Sequence, residues 1–369
     1  MKLAFLCNNM KSTTGVERVL SQRLGLLADS GEFDVYLITY NQYGAPFSFP
    51  ISDKVHYIDL GTRYINGCTY HGLFQYIDRF LSKMHYRRSI RRCICSVDPD
   101  VITCIDIQIA DLLTILNLET CAIKIVECHC GLSAFLGGIA KEVFLFKHII
   151  KRKLVEKNIR TIRKFDKFVV MTNAELLDWN DDKAVCIPNM LAAYPNVATD
   201  VLTTKHRVCC IGRYAYQKGF DLLIKSWVVV QEKYPDWSLH IYGSRDGDMG
   251  DYDQIIKLID KNGLHGVFLH PATKDVYSKY YESDFYVLPS RYESFGLTII
   301  EAMSCGLPII SFDCKYGPRS IIKDGEIRTM KKITRENQRR IYSRCVSDIN
   351  LIMPLSTASL IYVDSFRLA

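Results

Sequence analysis

The sequence predicts an α/β protein of two doubly wound domains that face each other across a cleft. Three observations predict this class. The chain has 369 residues, more than one hydrophobic core usually serves. Strand-like and helix-like patterns alternate through two separate stretches, as in parallel sheets. A loop rich in Ala, Pro, Asn and Thr lies between these stretches. The composition, 48% hydrophobic and 24% charged, is that of a folded globular protein.

The first stretch opens with a short apolar run, Lys2 to Cys7, and a helical pattern from Val16 to Leu27. A second helix-like segment covers Ile109 to Leu116. Further strands are predicted at Val35 to Thr39, Val101 to Cys104, Ile123 to Glu127, Phe168 to Met171 and Val185 to Ile187. These elements define a predicted first domain over residues 1–190.

Pro188-Asn189 breaks this pattern, and the interdomain linker is predicted between Asn189 and His206. The strands predicted beyond it are Val208 to Ile211, Ser238 to Tyr242, Val267 to Leu269, Phe285 to Leu288 and Pro308 to Phe312. The helices predicted between them are Phe220 to Tyr234, Tyr252 to Asn262 and Leu297 to Ser304. The second domain is therefore predicted over residues 207–326, followed by an atypical basic tail, 327–369.

The cysteines and the N-terminus predict a cytoplasmic protein with reduced thiols. The 14 cysteines are scattered, and the first residues lack the charged region, apolar stretch and cleavage site of a signal peptide. No apolar run reaches the roughly 18 residues of a membrane span. Cys128-His129-Cys130 places its side chains too close along one strand to share a metal easily. No metal site is therefore predicted.

The net charge of +7 is concentrated in two stretches, Lys147 to Lys167 and Lys331 to Arg344. Basic helices of this kind can hold a protein peripherally at the inner face of an anionic membrane or attract phosphate-bearing ligands. A solvated helix face explains them equally well. Nucleic-acid binding is not favoured, because no aromatic-and-basic motif or helix-turn-helix signature accompanies the charge.

The stretch from Leu288 to Pro308 carries two glutamates, Glu293 and Glu301, eight positions apart. Glu293 is predicted on a loop just ahead of a helix, and Glu301 within that helix. Such carboxylates suit the paired hydroxyl donors of a sugar or a ribose. Taken singly, either residue is more often a helix-start or surface group, so the prediction depends on the pattern as a whole.

The start of this helix predicts a site for an anion. The backbone N–H groups of Phe295, Gly296 and Leu297 open the helix without intrahelical partners, which suits an anionic diphosphate. Gly296 lets the phosphate approach closely because it has no side chain.

A second group of polar residues lies between Ile211 and Asp221, directly after a predicted strand and ahead of a helix. Arg213 and Lys218 put two cations at the carboxyl end of the sheet, where ligands of doubly wound folds gather. There they can neutralise a pyrophosphate and the charge that grows on it as it leaves. Surface solubility is the alternative explanation for both.

Together these two stretches resemble the retaining glycosyltransferases of the GT-B fold, often called glycosyltransferase group 1 or family 4. Glu293 and Glu301 match the family's pair of glutamates, and its Gly-Arg followed by Gln-Lys-Gly matches Gly212-Arg213 and Gln217-Lys218-Gly219. The resemblance is strong from Val208 to Gly325 and weaker over 1–190. It implies two Rossmann-like domains, the first on the acceptor side and the second binding the nucleotide sugar.

By this resemblance Arg213 and Lys218 bind the donor diphosphate, Glu301 holds the ribose, and Glu293 contacts the transferred sugar. The family needs no metal or other cofactor. It typically transfers hexoses from UDP- or GDP-sugars with retention at the anomeric carbon, by front-face departure of the nucleotide, so no enzymic nucleophile is expected.

Two N-terminal features resemble the family more loosely. Gly15 lies in a loop that resembles the family's glycine-containing loop, where the backbone approaches the donor phosphate or the acceptor closely, although many members have two glycines there. The resemblance implies that Gly15 contributes to donor binding. His129 matches a histidine that many members place beside the donor sugar, and a purely structural role is equally open. Asp246-Gly-Asp248 looks like the metal-binding triplet of the other glycosyltransferase fold, but a solvated turn is favoured because Arg213 and Lys218 already supply cations.

The resemblance ends at about Glu326, where the family's next strand and crossing helices are expected. The leading hypothesis is an enzyme of polysaccharide biosynthesis that moves a hexose or N-acetylhexosamine from a nucleotide sugar, preferably a UDP-sugar, to a polysaccharide or lipid-linked saccharide. The alternative is an inactive remnant, truncated or frameshifted at its C-terminal end, that binds a nucleotide or serves as an interaction module.

Overall fold

The computed structural model divides the chain into two compact units, Met1–Ala192 and Ala193–Ala369. It describes residues 1–12, 14–62, 73–105, 109–129, 132, 145–191, 205–245, 249–322 and 329–330. Strands alternate with helices in both units, and the strands pair in parallel. The predicted α/β class is therefore confirmed.

The described residues of the first unit form a seven-stranded sheet in the order β3-β2-β1-β4-β5-β6-β7. Its strands are β1 (Lys2–Cys7), β2 (Asp34–Thr39), β3 (His56–Asp59), β4 (Val101–Ile105), β5 (Ile123–Glu127), β6 (Lys167–Val170) and β7 (Ala184–Cys186). Its helices are α1 (Gly15–Asp29), α2 (Leu73–Val97), α3 (Ile109–Leu116), α4 (Leu145–Ile162) and α5 (Asn173–Trp179).

The central strands β1 and β4 are mostly apolar because helices cover both faces of this sheet. In β1 every residue from Leu3 to Cys7 is buried. Two clusters form the core: one contains Leu6, Ile102 and Phe168, and the other contains Phe5 and Leu37. β5 ends at Glu127 beside β4 and β6, so its last residues open onto the carboxyl edge of the sheet.

Within its described residues, the second unit forms a six-stranded sheet in the order β10-β9-β8-β11-β12-β13. Its strands are β8 (Arg207–Ile211), β9 (Ser238–Gly243), β10 (Val267–Pro271), β11 (Phe285–Leu288), β12 (Ile309–Phe312) and β13 (Thr329–Met330). Its helices are α6 (Phe220–Lys233), α7 (Met249–Lys261), α8 (Val276–Tyr281), α9 (Leu297–Ser304) and α10 (Gly317–Ile321).

The strand order of the second sheet reverses at β8, which pairs with β9 on one side and β11 on the other. Val208 lies opposite Phe285, and Cys209 opposite Tyr286. Because parallel neighbours end at the same edge, the loops after β8 and β11 emerge side by side. This is the switch point where open α/β sheets bind ligands.

Several features predicted from the sequence lie outside the described residues. They are Asp246-Gly-Asp248, the basic stretch Lys331 to Arg344, linker residues 192–204, and the tail apart from Thr329–Met330. Within the described ranges, each helix is too short or too polar to cross a bilayer.

Candidate active site

Two loops meet at the switch point of the second sheet. The first runs from Gly212 to Gly219 and contains a single 3₁₀ turn, Tyr216–Lys218. The backbone N–H of Arg291, in the loop after β11, donates to the Gln217 carbonyl at 2.8 Å. The Gln217 side-chain amide donates in turn to the Tyr292 carbonyl at 3.1 Å. The two loops are therefore joined by hydrogen bonds to each other's main chain.

Gly219 allows this close approach. Its φ is +66°, in the left-handed region, and a Cβ there would lie 2.0 Å from the Pro289 carbonyl oxygen. No side chain fits at that distance. Gly219 therefore fixes the spacing between the loop after β8 and the loop after β11.

The loops bring together two residues predicted from separate motifs. Lys218 Nζ lies 2.6 Å from Glu293 Oε1, and their side chains are only 16% and 8% exposed. The Ser290 hydroxyl donates to the same carboxylate oxygen at 2.6 Å. Glu293 is therefore held by a cation and a hydroxyl at the mouth of the sheet.

Arg213 lies in the same loop, at its exposed side. No ion pair to Arg213 is present within the described part of the chain. Since Lys218 is already paired with Glu293, Arg213 is the guanidinium on this loop whose charge is available to an anion.

Helix α9 begins as the motif predicts. Gly296, at φ +92°, precedes its first residue, Leu297, and supplies no side-chain cap. Ile299 N–H donates to the Gly296 carbonyl at 2.9 Å, which closes the first turn. Phe295 is buried just before this turn. Uncapped N–H groups and the positive end of a helix dipole favour anionic groups in general, so this end of α9 is a candidate for a phosphate contact.

Glu301, on α9, is 4% exposed and accepts a hydrogen bond from the Tyr280 hydroxyl at 3.1 Å. The same hydroxyl contacts the Thr298 carbonyl oxygen at 3.3 Å. Burial, followed by the charge of Glu301, raises the pKa of Tyr280 well above its usual value, so the hydroxyl keeps its proton and donates. Tyr280 was missed from the sequence because nothing in its spacing distinguishes it from a core tyrosine of α8.

Arg291 is a second residue that sequence reasoning missed. Its guanidinium makes two hydrogen bonds to the carboxylate of Asp221 at 2.8 and 2.7 Å. It also donates to the Tyr216 carbonyl at 2.7 Å and lies 3.9 Å from the centre of the Tyr216 ring. The local sequence of this loop does not predict that Arg291 pairs with Asp221, which lies far away in the chain. Arg291 braces the first loop from the second.

The remaining predicted residues lie in the first unit. His129 follows β5, with Nε2 at 2.9 Å from Glu127 Oε2. The Arg23 guanidinium, from α1, lies 2.9 Å from both oxygens of Glu127. Gly15 is the exposed first residue of α1, and the preceding Thr14 makes no side-chain cap. His129 is therefore tied into an ion-pair network, whereas Gly15 leaves an open helix start.

No group of three or more His, Cys, Asp or Glu side chains is arranged to hold a metal ion among the residues that the structure describes.

The described residues of the second unit place cations, carboxylates and a helix start at the switch point of a parallel sheet, where α/β proteins of this kind bind their ligands. Residues 198–339 match the family described as glycosyl transferases group 1. Over these residues the chain is similar to the group 1 glycosyltransferases. The family match extends beyond Glu326, where the resemblance was expected to end.

The relatives agree with this family. An uncharacterized glycosyltransferase of Haemophilus influenzae is 27% identical over 339 residues, which cover 88% of this chain and 84% of that protein. The amylovoran biosynthesis glycosyltransferase AmsD of Erwinia amylovora is 27% identical over 336 residues, with the same coverage.

A solved structure confirms the fold. The chain resembles a TarM variant of S. aureus, crystallised with fondaparinux, alpha-GlcNAc-glycerol and UDP, with a TM-score of 0.70 and 14% identity. The match covers 97% of this chain and 95% of that one. The predicted GT-B fold class is confirmed.

Proposed function

We propose that this protein transfers a hexose or N-acetylhexosamine from a UDP-sugar to a polysaccharide or lipid-linked saccharide, with retention of configuration, in the cytoplasm. One observation carries the proposal: Lys218 and Glu293, from two different motifs, meet at the switch point beside Arg213 and the start of α9. The cations and uncapped N–H groups suit the diphosphate of a nucleotide sugar, and the carboxylates suit its hydroxyl groups.

The diphosphate of the donor is assigned to the positive groups. Arg213 and Lys218 neutralise it, and the backbone N–H groups at the start of α9, from Phe295, Gly296 and Leu297, bind its oxygens. These groups stabilise the departing nucleotide most, because negative charge grows on the phosphate as the bond to the sugar breaks. Since the cations come from side chains, transfer is expected to proceed without a divalent metal.

The two carboxylates are assigned to hydroxyl groups. Glu301, held by Tyr280, accepts from the ribose, and Glu293 accepts from the transferred sugar. Lys218 can contact the phosphate only after its ion pair with Glu293 breaks. In the proposed complex, the Glu293 carboxylate contacts the sugar instead. Donor binding thereby replaces an internal ion pair with two contacts to the ligand.

The choice of UDP and of a saccharide acceptor is supported by the relatives. The TarM structure contains UDP and alpha-GlcNAc-glycerol, and the Erwinia relative is named for amylovoran biosynthesis. The basic helix α4 offers a surface for peripheral contact with an anionic membrane, where lipid-linked acceptors reside.

Isothermal titration with UDP tests the donor site. The unsubstituted protein is compared with Arg213→Ala, Lys218→Ala and Glu301→Ala, and Lys225→Ala, an exposed lysine of α6, is the matched control. Each site variant is expected to weaken binding about tenfold or more, since each removes a hydrogen bond to or from a charged group. Equal affinity in all five proteins contradicts the proposal.

A donor screen tests the reaction itself. Release of free UDP from UDP-glucose, UDP-galactose or UDP-GlcNAc, measured with a saccharide acceptor, should proceed equally with and without EDTA. Tight UDP binding without turnover of any donor would favour the inactive remnant instead.

A further inference from the structure

Ser290 lies in the loop after β11, and its hydroxyl contacts the Glu293 carboxylate. Ser290 Oγ donates to Glu293 Oε1 at 2.6 Å, and Lys218 Nζ lies 2.6 Å from the same oxygen. Among the residues that the structure describes, none donates a hydrogen bond to the other oxygen, Oε2. Both donors therefore converge on one oxygen of this carboxylate.

The two donors differ in how a phosphate would act on them. Lys218 carries a positive charge at the end of a long, flexible side chain, so a nearby phosphate attracts it. Ser290 is fully buried, and its short side chain ends in a hydroxyl without net charge. A phosphate at the switch point therefore draws Lys218 away from Glu293 and leaves Ser290 in place.

Ser290 is also held through its main chain. The Cys314 thiol, just after β12, donates to the Ser290 carbonyl at 3.0 Å. Burial, followed by the charge of Glu293, raises the pKa of Cys314 well above its usual range, so the thiol keeps its proton and can donate. The loop that carries the serine is thereby tied to the segment that follows the neighbouring strand.

Glu293 needs a donor of this kind because it is buried. Its side chain is only 8% exposed. A buried carboxylate that loses all its hydrogen-bond donors is costly, since water cannot replace them fully. With Lys218 as its only donor, Glu293 would oppose every departure of this lysine at that full cost.

We propose that Ser290 is a positioning residue that holds Glu293 Oε1 after Lys218 has moved to the donor diphosphate. That Lys218 moves in this way rests on the proposed function. Ser290 keeps the carboxylate at the switch point, and Oε2 is the atom left to accept a hydrogen bond from the sugar.

Urea denaturation of the ligand-free protein tests this anchoring. Lys218→Ala imitates the state in which the lysine has left Glu293. In that background Ser290→Ala should lower the urea midpoint about twice as far, or more, as in the unsubstituted protein, because Glu293 loses its last donor. Ser226→Ala removes another buried serine hydroxyl, on α6, and should act equally in both backgrounds. An equal or smaller loss from Ser290→Ala beside Lys218→Ala would overturn the proposal.

Titration with UDP tests the role of Ser290 in the proposed donor site. Ser290→Ala should weaken UDP binding about tenfold, because Lys218 then reaches the diphosphate only by leaving Glu293 without a donor. In Glu293→Gln the same substitution should change UDP affinity by less than about twofold, since no buried charge is left behind. A serine that only shapes the loop would weaken binding equally in both backgrounds, and that result would reject the proposed role.

The two proposals fail separately. Denaturation needs no ligand, so it decides whether Ser290 anchors Glu293 even when UDP does not bind. UDP binding and transfer, with equal effects of Ser290→Ala in all backgrounds, would leave the proposed function intact and reject this inference. If the protein that combines Lys218→Ala with Ser290→Ala does not fold, the titration decides, because the combination with Glu293→Gln leaves no buried charge without a donor.

Discussion

The ion pair between Lys218 and Glu293 belongs to the site without its donor, and donor binding as proposed would break it. Their 2.6 Å ion pair is largely buried, so a donor bound as proposed would replace this pair rather than add to it. An acidic side chain beside the phosphate position also repels the phosphate. The same carboxylate that is assigned to the sugar therefore opposes binding of the nucleotide alone.

Replacing Glu293 should separate binding from turnover. In Glu293→Gln, Lys218 loses its partner and becomes available to the diphosphate, so UDP should bind as tightly as before or by a factor of a few more tightly. Transfer should nevertheless fall about a hundredfold, the scale of losing one well-placed electrostatic contact. Titration with UDP and a steady-state assay measure the two effects.

Glu232→Gln, at an exposed position of α6, is the control for this substitution. Weaker UDP binding in Glu293→Gln, comparable with that in Lys218→Ala, would mean that Glu293 holds Lys218 in place and does not compete with the ligand.

Tyr280 gives a second test at the same scale. Tyr280→Phe removes the hydrogen bond to Glu301 and leaves a buried carboxylate with one donor fewer. We expect the free energy of unfolding to fall by about 1–3 kcal/mol and UDP binding to weaken, since Glu301 is no longer oriented. Urea denaturation and titration measure these effects. Tyr277→Phe on the same helix is the control, and equal UDP affinity in both variants would contradict the role of Tyr280.

The sequence predicts the charged residues of the candidate site in the second unit. It does not predict the residues that hold these side chains and their loops in place. Arg213, Lys218, Glu293 and Glu301 follow a spacing that is visible in the letters. Tyr280 and Arg291 act through contacts between segments far apart in the chain, such as the pair of Arg291 with Asp221. Pairings of this kind depend on how the strands are ordered, which local patterns do not contain.

Regular elements were predicted best where one pattern dominates. The bounds of α3, β5, β11 and α9 agree with the predicted segments. β3 (His56–Asp59) was not predicted, because only half of its four residues are apolar and none is fully buried. An edge strand like this is specified by its hydrogen bonds to β2 rather than by a hydrophobic pattern.

The loop between β8 and α6 depends on a glycine for its shape. Gly219→Ala would place a Cβ 2.0 Å from the Pro289 carbonyl oxygen at a φ of +66°, so the backbone must move. Gly263→Ala, at a φ of +59° with nothing within 4 Å, adds only the strain of the left-handed conformation. We expect a loss of about 1 kcal/mol for Gly263→Ala and a clearly larger loss for Gly219→Ala.

Urea denaturation measures both losses, and titration with UDP reports whether the site survives. UDP affinity should fall in Gly219→Ala only. Equal destabilisation in the two variants would show that the loops after β8 and β11 can separate at no cost.

A contact between His240 on β9 and His270 on β10 is expected to make the protein sensitive to acid. His240 Nδ1 lies 2.9 Å from His270 Nε2, with the rings stacked at 5.1 Å. Burial, followed by the charges of Arg207 and His270, lowers the pKa of His240 to about 4, while Glu282 opposes this and Lys279 adds to it. Because the unfolded chain binds this proton near pH 6.5, stability should fall as the pH drops from about 6.5 to about 4.

Thermal unfolding between pH 7 and pH 4 tests this contact. His240→Gln removes the titrating ring, so its melting temperature should fall less over this range than that of the unsubstituted protein. His265→Gln, at an exposed site, is the control and should follow the unsubstituted protein. If the melting temperature of His240→Gln falls as steeply with pH as that of the control, another group causes the acid sensitivity.

At the scale of the whole molecule, each unit has its own hydrophobic core. Ile102 is fully buried in the first unit, and Ile241 is fully buried in the second. The proposed diphosphate and ribose contacts all come from the second unit. A chain with separate cores commonly unfolds in more than one step, since each core can be lost while the other persists.

Calorimetry should therefore resolve two transitions, of which UDP raises only the one that belongs to the second unit. UDP at 100 times its Kd should stabilise that unit by about 2.7 kcal/mol. Ile102→Val and Ile241→Val, each expected to cost about 1 kcal/mol, assign the transitions because each should lower only one of them by about 2–4 °C. A single transition, lowered by both substitutions and raised as a whole by UDP, would show instead that the two units unfold as one cooperative structure.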